Sequence, residues 1–290
     1  MQLRSLLIRL HLAQGIGYQG IVRVLQHCRQ TATVLTTVSA IATIAQLSTA
    51  AAQKFKIDWA SDRFQHVLRQ HETVTILTIL DADYPASLLA SYQPPLVLFL
   101  QGQRQLLATT QLAVVGARQA SPYAQRVLNR LLPPLVGAAL PLTVISGLAA
   151  GTDGLAHQTA LRVGLKTIAV IGTGLDISYP RQNAAIQRQV GQVGLLISEY
   201  PLGSPPARHH FPARNRIIAG LCQSLVVIEA RAHSGSLITA NLALQANRNV
   251  LAVPGPIDAP MSVGCNELIL AGAKPVLNSG HIIEEFLPII

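Results

Sequence analysis

The sequence predicts an α/β chain: a doubly wound parallel sheet with helices on both faces, preceded by a small all-α domain. Three observations carry this. From residue 111 onward, short apolar runs recur with helical stretches between them, the pattern of a parallel sheet covered on both sides. The first 75 residues hold helical spacings and no comparable series of runs. Half of the 290 residues are hydrophobic, 12% are charged and 4% are aromatic. That is apolar enough for a large core of Leu, Ile, Val and Ala, and far too uncharged for a disordered chain.

Residues 3–28 read as helical, with a break at Gln14-Gly15-Ile16-Gly17. Leu6, Leu7 and Leu10 before the break, and Ile21, Val22 and Leu25 after it, keep helical spacing. A helix, a Gly-x-Gly turn and a second helix either offer backbone amides to a phosphate or form an ordinary hairpin of a bundle; the hairpin is the preferred reading. Thr31–Gln53 is uncharged and long enough to span a bilayer, but it is studded with Thr, Ser and Gln and lacks an aromatic belt. Ile41, Ile44 and Leu47 instead suggest bundle helices. Residues 55–72 read as one further helix and Val74–Leu80 as a strand. Asp81–Pro95, with Tyr84-Pro85 and Pro94-Pro95, is the junction where the fold changes character. The expected division is a helical domain over 1–75 and a sheet domain over 76–290.

Leu96–Leu100 reads as a strand ending at Gly102. Six runs follow: Leu112–Val115, Leu142–Ile145, Thr167–Ile171, Leu195–Ile197, Leu225–Ile228 and Val250–Val253. Helices are expected over Tyr123–Leu135, Gly154–Arg162, Arg181–Val190, Arg214–Gly220 and Leu237–Ala246. The apolar stretch Leu131–Ala150 is cut by Pro133, Pro134, Gly137, Pro141 and Gly147. At the N-terminus, Arg9 and His11 break the apolar stretch that a signal peptide needs. A cytoplasmic protein with no membrane span is expected. Three scattered cysteines, Cys28, Cys222 and Cys265, form neither a disulfide scaffold nor a zinc ribbon.

The formal net charge is +9, from 22 basic and 13 acidic residues, which argues for an anionic partner. The excess is concentrated: residues 111–250 hold twelve basic against four acidic residues, whereas residues 251–290 hold one against four. Eighteen of the basic residues are arginine, the residue that grips phosphate bidentately. The acidic end suits a protein-facing surface or solvent.

Ligands of such sheets bind at the carboxyl ends of the strands. Gly116-Ala117-Arg118 and Ser121-Pro122 follow the first run, and Ser146-Gly147 through Gly151-Thr152-Asp153 the second. Gly172-Thr173-Gly174 and Tyr179-Pro180-Arg181 follow the third, and Glu199-Tyr200-Pro201 the fourth. Phe211 through Arg216 then precede the fifth, which is followed by Glu229 and Ser234-Gly235-Ser236. Glycine turns running into helix starts leave amides free for an anion, and Arg118, Arg181, Arg214 and Arg216 add charge. Asp153 is expected to cap a helix, and Asp176 and Glu199 to hold arginines in position. There is no GxxxxGK[ST]; Ile177 stands where a dinucleotide motif needs glycine; there is no GxSxG elbow. His209-His210 lack a third ligand, so no metal site is expected. No pair of groups suits acid–base catalysis, and no cofactor is implied.

These motifs resemble those of the DprA/Smf family of bacterial DNA-processing proteins. The resemblance runs through Ala113–Arg118, Ser146–Asp153 with His157, Gly172–Asp176, Tyr179–Arg181, Glu199–Pro201, Phe211–Gly220, Ser234–Ala240, Val253–Gly255, Gly264–Ile269 and Gly272–Lys274, and covers about residues 81–277. It implies an extended Rossmann-like fold behind a sterile-alpha-motif-like or helix-hairpin-helix domain. It further implies a non-catalytic mediator that binds single-stranded DNA, protects incoming DNA in natural transformation and loads the RecA recombinase. Carried onto this chain, the DNA-binding set is Gly116, Arg118, Ser146, Gly147, Gly172, Gly174, Tyr179, Arg181, Phe211, Asn215, Arg216, Ser234, Gly235 and Ser236. Asn266, Ile269 and Leu270 are the expected homodimer or partner contacts. Ala117 and Ala150 depart from the family, removing a hydroxyl and a positive charge. After Lys274 the chain is too short for the C-terminal winged helix of some members. The alternative is a nucleotide-binding or nucleotide-hydrolysing enzyme of the lysine-decarboxylase-like Rossmann group, but the comparable turn Ser234–Thr239 lacks the glutamate such enzymes use.

Overall fold

The computed structural model describes residues 2–138 and 140–287. Packing divides the chain into two units, Met1–Tyr84 with Pro95–Phe99 and Pro85–Pro94 with Leu100–Ile290.

The first unit holds five helices: α1 (Leu3–Leu12), α2 (Tyr18–Thr31), α3 (Val38–Ile44), α4 (Thr49–Trp59) and α5 (Asp62–His71). They bury Leu6, Leu7 and Leu10 of α1, Ile21, Val24 and Leu25 of α2, Ile41, and the rings of Phe55 and Phe64. Hydroxyl caps divide the sequence into short helices. Thr37, Ser48 and Ser61 accept from the backbone N–H groups of Ala40, Ala51 and Phe64. The single helix expected over residues 55–72 is therefore two helices, because Ser61 starts a new one. The Gly-x-Gly turn joins α1 to α2 and packs on α4. The Gln14 amide donates to Asp58 Oδ2 at 2.8 Å, and Gly15, at φ +85°, lies so close to α4 that a Cβ would stand 2.6 Å from the Phe55 nitrogen. No helix of the described residues is long and apolar enough to cross a membrane. Strand β1 (Thr75–Thr78) closes the unit, and the Ile79 amide donates to Leu96 carbonyl at 3.0 Å.

Strand β2 (Val97–Gly102) carries the chain from the first unit into the second. The second unit opens with the one-turn helix α6 (Ala86–Leu89). There follow β3 (Thr110–Val115), α7 (Pro122–Leu131), β4 (Leu142–Ser146), α8 (Thr152–Val163), β5 (Lys166–Ile171), α9 (Ala184–Val193), β6 (Leu195–Ser198) and α10 (His210–Leu221). The unit ends with β7 (Ser224–Val227), α11 (Gly235–Gln245), β8 (Asn249–Ala252), α12 (Val263–Leu270), β9 (Lys274–Pro275) and α13 (Gly280–Ile283). Strands β3 to β9 lie side by side in the order β6-β5-β4-β3-β7-β8-β9, every pair parallel. The predicted doubly wound sheet is thus observed. The chain winds outward from β3 to β6, then returns to pair β7 on the other side of β3. That reversal is the switch point at which such sheets open a crevice.

Helix α10 starts at His210, four residues before the expected Arg214, and two further helices differ from the expected spans for local reasons. Helix α7 stops at Leu131 rather than Leu135, and a 3₁₀ turn follows at Pro133–Leu135, because two prolines lack the N–H that an α-helix needs. Residues Arg181–Asn183 form a 3₁₀ turn ahead of α9.

Candidate nucleic-acid interface

The switch point carries an open cleft of about 550 Å³. Its walls come from the loop after β3, the start of α10 and the loop running into α11.

The β3 loop is fixed by its neighbours. The Thr152 amide and Oγ1 both donate to the Ala117 carbonyl, at 3.1 and 3.2 Å. Gly116 packs so tightly on Thr152 that a Cβ would stand 2.6 Å from Oγ1. At the far end of the loop, the buried Glu229 carboxylate accepts from the Ser121 amide at 2.9 Å and from the Ser121 hydroxyl. Ser121 in turn caps α7 by accepting from the Tyr123 amide at 3.1 Å. Between these anchors Arg118 stands exposed, its Cζ 5.5 Å from the centroid of the Phe211 ring.

Phe211, in the first turn of α10, joins that arginine to a second ring. Tyr179 lies 5.3 Å from it and is 44% exposed. Gly172 lets Phe211 close in from behind, since a Cβ there would stand 3.1 Å from the ring. Beside it, His210 stacks on Tyr200 at 3.8 Å and hydrogen-bonds through Nδ1 to the Gly172 carbonyl at 2.9 Å. Burial lowers the His210 pKa and pushes the Tyr200 phenol up to about 12, so Tyr200 stays neutral.

Arg214 points inward. Its guanidinium is buried and donates through Nη1 to the carbonyls of Gly147 and Val170, at the ends of β4 and β5, and through Nε to Asn215 Oδ1 at 3.2 Å. Gly147 has no Cβ because the guanidinium occupies that place. Burial lowers the Arg214 pKa to about 10, and burial raises that of Asp153 despite the nearby arginine. For both groups desolvation outweighs mutual attraction, the expected balance for a buried pair. Asp153 lies in the first turn of α8 but is not its cap: the N-cap is Gly151, and the Asp153 carboxylate accepts from the Ala149 amide at 3.4 Å, ahead of the helix.

The remaining wall is the N-terminus of α11. Ser234 and Ser236 share a hydrogen bond of 2.7 Å between their hydroxyls. A Cβ on Gly235 would meet nothing within 4 Å, so the backbone there faces open space.

Of the residues the sequence singled out, Gly116, Arg118, Phe211, Asn215, Ser234, Gly235 and Ser236 line the cleft together, with Tyr179 joined to them through Phe211. Others lie elsewhere. The Ser146 hydroxyl is buried and donates to Val114 carbonyl at 2.6 Å, tying β4 to β3. Gly147 contacts Arg214 beneath the surface. The Gly174 amide donates to Ser204 carbonyl at 3.0 Å. Arg181 is exposed on its 3₁₀ turn, outside the cleft wall. Arg216 is engaged by Glu199 at 2.7 Å and donates to Gln93 carbonyl at 3.1 Å. Glu199 thus holds an arginine as expected, whereas Asp176 does not; both its oxygens accept from the Gly203 amide. Asn266 uses both side-chain atoms on the backbone of Gly255, Ile269 is half-buried, and Leu270 is 89% exposed. Arg231 was not singled out, yet it lines the cleft. It follows Glu229 by two residues, so its position after a strand end was the available signal. Among the described residues no group of three or more His, Cys, Asp or Glu is placed to hold a metal ion.

A parallel doubly wound sheet, with a cleft at its switch point lined by Arg118, Arg214, Arg231 and the Phe211 ring, defines a protein of the Rossmann-like class. Residues 75–287 match the family described as DNA recombination-mediator protein A, and the chain belongs to that family, whose curated relatives are named DprA or Smf. It is 43% identical to the DNA processing protein DprA of Streptococcus pneumoniae over 232 residues, covering 80% of this chain and 79% of that one. It is 45% identical to the Smf protein of Escherichia coli over 202 residues, covering 69% of this chain and 54% of that protein's length. The X-ray structure of the Streptococcus pneumoniae protein superposes with a TM-score of 0.89 at 37% identity, over 100% of this chain and 99% of that one. DNA processing protein A from Helicobacter pylori, described for its single-stranded DNA binding mode, superposes with a TM-score of 0.66 at 28% identity, over 74% of this chain and 96% of that one.

Proposed function

We propose that the cleft binds single-stranded DNA without sequence preference and that the protein is a non-catalytic mediator. In this reading it protects incoming DNA and loads the RecA recombinase onto it during natural transformation, in the cytoplasm. The observation that carries the reading is the tier of Arg118, Phe211 and Tyr179 beside the open N-terminus of α11. Arginine and helix amides meet phosphates, and every base has a face that can stack on a ring. The single-stranded DNA described for the Helicobacter pylori relative supports the same class of ligand. Arg231, Asn215, Ser234 and Ser236 extend the polar wall along which a strand would run. Gly172 and Gly147 act through the residues they admit, Phe211 and Arg214; Arg181 adds charge outside the wall.

The division of labour follows the sequence: residues 76–290 bind DNA, and residues 1–75 form the helical domain. The exposed Leu270, with Ile269 and the loop pinned by Asn266, forms the homodimer or partner face. The test is fluorescence anisotropy of a labelled single strand and its duplex at several salt concentrations. Tight, salt-sensitive, strand-selective binding that weakens in Arg118→Ala is expected. Equal binding of the duplex, or no effect of the substitution, would place the site elsewhere.

A further inference from the structure

The helical unit holds a second cavity, of about 520 Å³, bounded by α1, α5 and the chain leading into β1. Ile8, Leu68, Val74 and Ile76 give it half-buried aliphatic walls; Arg4, Arg9 and Arg69 stand around them, against one carboxylate, the exposed Glu72, with the buried His71 also on the lining. The three arginines differ in what they already hold. Arg4 is committed, with Nε on Asp81 Oδ1 at 2.7 Å and Nη2 on Ile76 carbonyl at 2.8 Å. Arg9 has no carboxylate partner among the described residues; its Cζ lies 4.9 Å from the Trp59 ring and 5.3 Å from the Phe64 ring. Arg69 is exposed in the last turn of α5, and its side chain makes no hydrogen bond or ion pair among the described residues.

We propose that this cavity receives an acidic peptide segment of a protein partner, with an apolar side chain against Ile8, Leu68, Val74 and Ile76 and flanking carboxylates on Arg9 and Arg69. The volume falls in the range of ligand clefts. Residues 1–75 carry eight basic against three acidic residues, so the unit as a whole attracts acidic segments. Carboxylates are the natural partners of two guanidinium groups that lack one. A nucleic-acid strand fits less well, because no Phe, Tyr or Trp lines the cavity to stack a base, and Arg9 already covers Trp59 and Phe64.

The probe is a fluorescein-labelled octapeptide of six glutamates with one leucine and one phenylalanine, titrated against the full chain. Two controls are an octapeptide with both apolar residues replaced by serine, and an oligo-dT competitor. The apolar-anchored peptide is expected to bind at least about tenfold more tightly than the serine version. Its binding should fall by about tenfold in Arg69→Glu and stay unchanged in Arg118→Ala and under excess oligo-dT. Thermal melting checks that Arg69→Glu folds, as an exposed position should. Equal binding of the two peptides, insensitivity to Arg69→Glu, or displacement by oligo-dT would each overturn the proposal. Weaker oligo-dT binding in Arg69→Glu would assign the cavity to nucleic acid instead.

Discussion

The Arg118 guanidinium lies 5.5 Å from the centre of the Phe211 ring, although one residue comes from the loop after β3 and the other from the first turn of α10. The cation covers one part of the ring, and Tyr179 stands 5.3 Å away as a second surface for stacking. Phe211→Ala should therefore weaken oligo-dT binding by about 1–3 kcal/mol, roughly 5- to 150-fold, with an unchanged salt slope. Arg118→Ala should weaken binding and also reduce the magnitude of the salt slope by about 0.7. Anisotropy titrations across a salt series separate the two effects, because only loss of a phosphate contact changes the slope.

Glu229 anchors the loop that carries Arg118 and does not itself line the cleft. Its carboxylate holds both the amide and the hydroxyl of Ser121, three residues beyond Arg118. Glu229→Ala should cost about 1–3 kcal/mol of stability, since the Ser121 donors lose their acceptor, and should also weaken DNA binding. Glu229→Gln keeps an acceptor and a donor in nearly the same places and should restore most of both. Urea denaturation and anisotropy on the same samples check this; an Ala variant that binds DNA normally would show that the loop is held by other contacts.

Arg214 is the cation on which the cleft floor is built. Arg214→Met would strip the Gly147 and Val170 carbonyls of their donor and leave Asp153 buried without its positive neighbour. Breaking a buried pair from one side costs about 3–5 kcal/mol. Gly147→Ala should destabilise in the same direction, since its Cβ would collide with the guanidinium. Thermal melts should show both variants well below the wild type, with Arg214→Met the lower.

Much of this arrangement was legible in the sequence, and what was not has a common physical cause. Apolar runs and glycine turns placed the strands and their carboxyl ends, and with them Gly116, Arg118 and Ser234–Ser236. Residue type, however, does not reveal which way an arginine points. Arg214 and Arg216 are two apart on α10, so their side chains leave the helix about 200° apart. One enters the floor and the other meets Glu199 away from the cleft. That spacing was a usable signal, because two such arginines cannot both face one groove. Asp176 was unreadable for a different reason: its partner is a backbone amide, Gly203, and amides leave no mark on composition. The split of residues 55–72 into two helices was written in Ser61, a capping residue inside an otherwise helical pattern.

Gly15 tests the packing of the helical unit. Its φ of +85° suits glycine, and a Cβ would press on the backbone of Ala51 and Phe55 in α4. Gly15→Ala therefore meets both backbone strain and a clash with atoms that cannot rotate away. A loss of more than about 1 kcal/mol is expected. Helical content should fall at a lower temperature than in wild type, while oligo-dT binding at low temperature stays intact if the cleft alone binds DNA.

His157 gives the fold a signature in pH. It is buried on α8, and its Nδ1 pairs at 2.7 Å with Thr167 Oγ1, which itself donates to Val144 carbonyl at 2.9 Å. The threonine hydrogen is thus used, so Nδ1 carries the imidazole proton and Nε2, which has no hydrogen-bond partner among the described residues, stays bare. Burial, with Arg214 nearby, lowers the pKa from 6.5 to about 3. The unfolded chain therefore binds a proton that the folded chain refuses. The contribution of this group to stability is complete above pH 6.5 and is lost as pH falls from there toward 3, with a limiting slope of about 1.4 kcal/mol per pH unit. Asp153, whose pKa is raised by burial, acts in the opposite sense, so the total profile mixes the two. The difference between wild type and His157→Gln isolates the histidine. Urea midpoints measured from pH 7.5 down to pH 4.5 should converge for the two proteins as pH falls, since only wild type carries the histidine's penalty. A constant gap across that range would mean that His157 takes up its proton in the folded state.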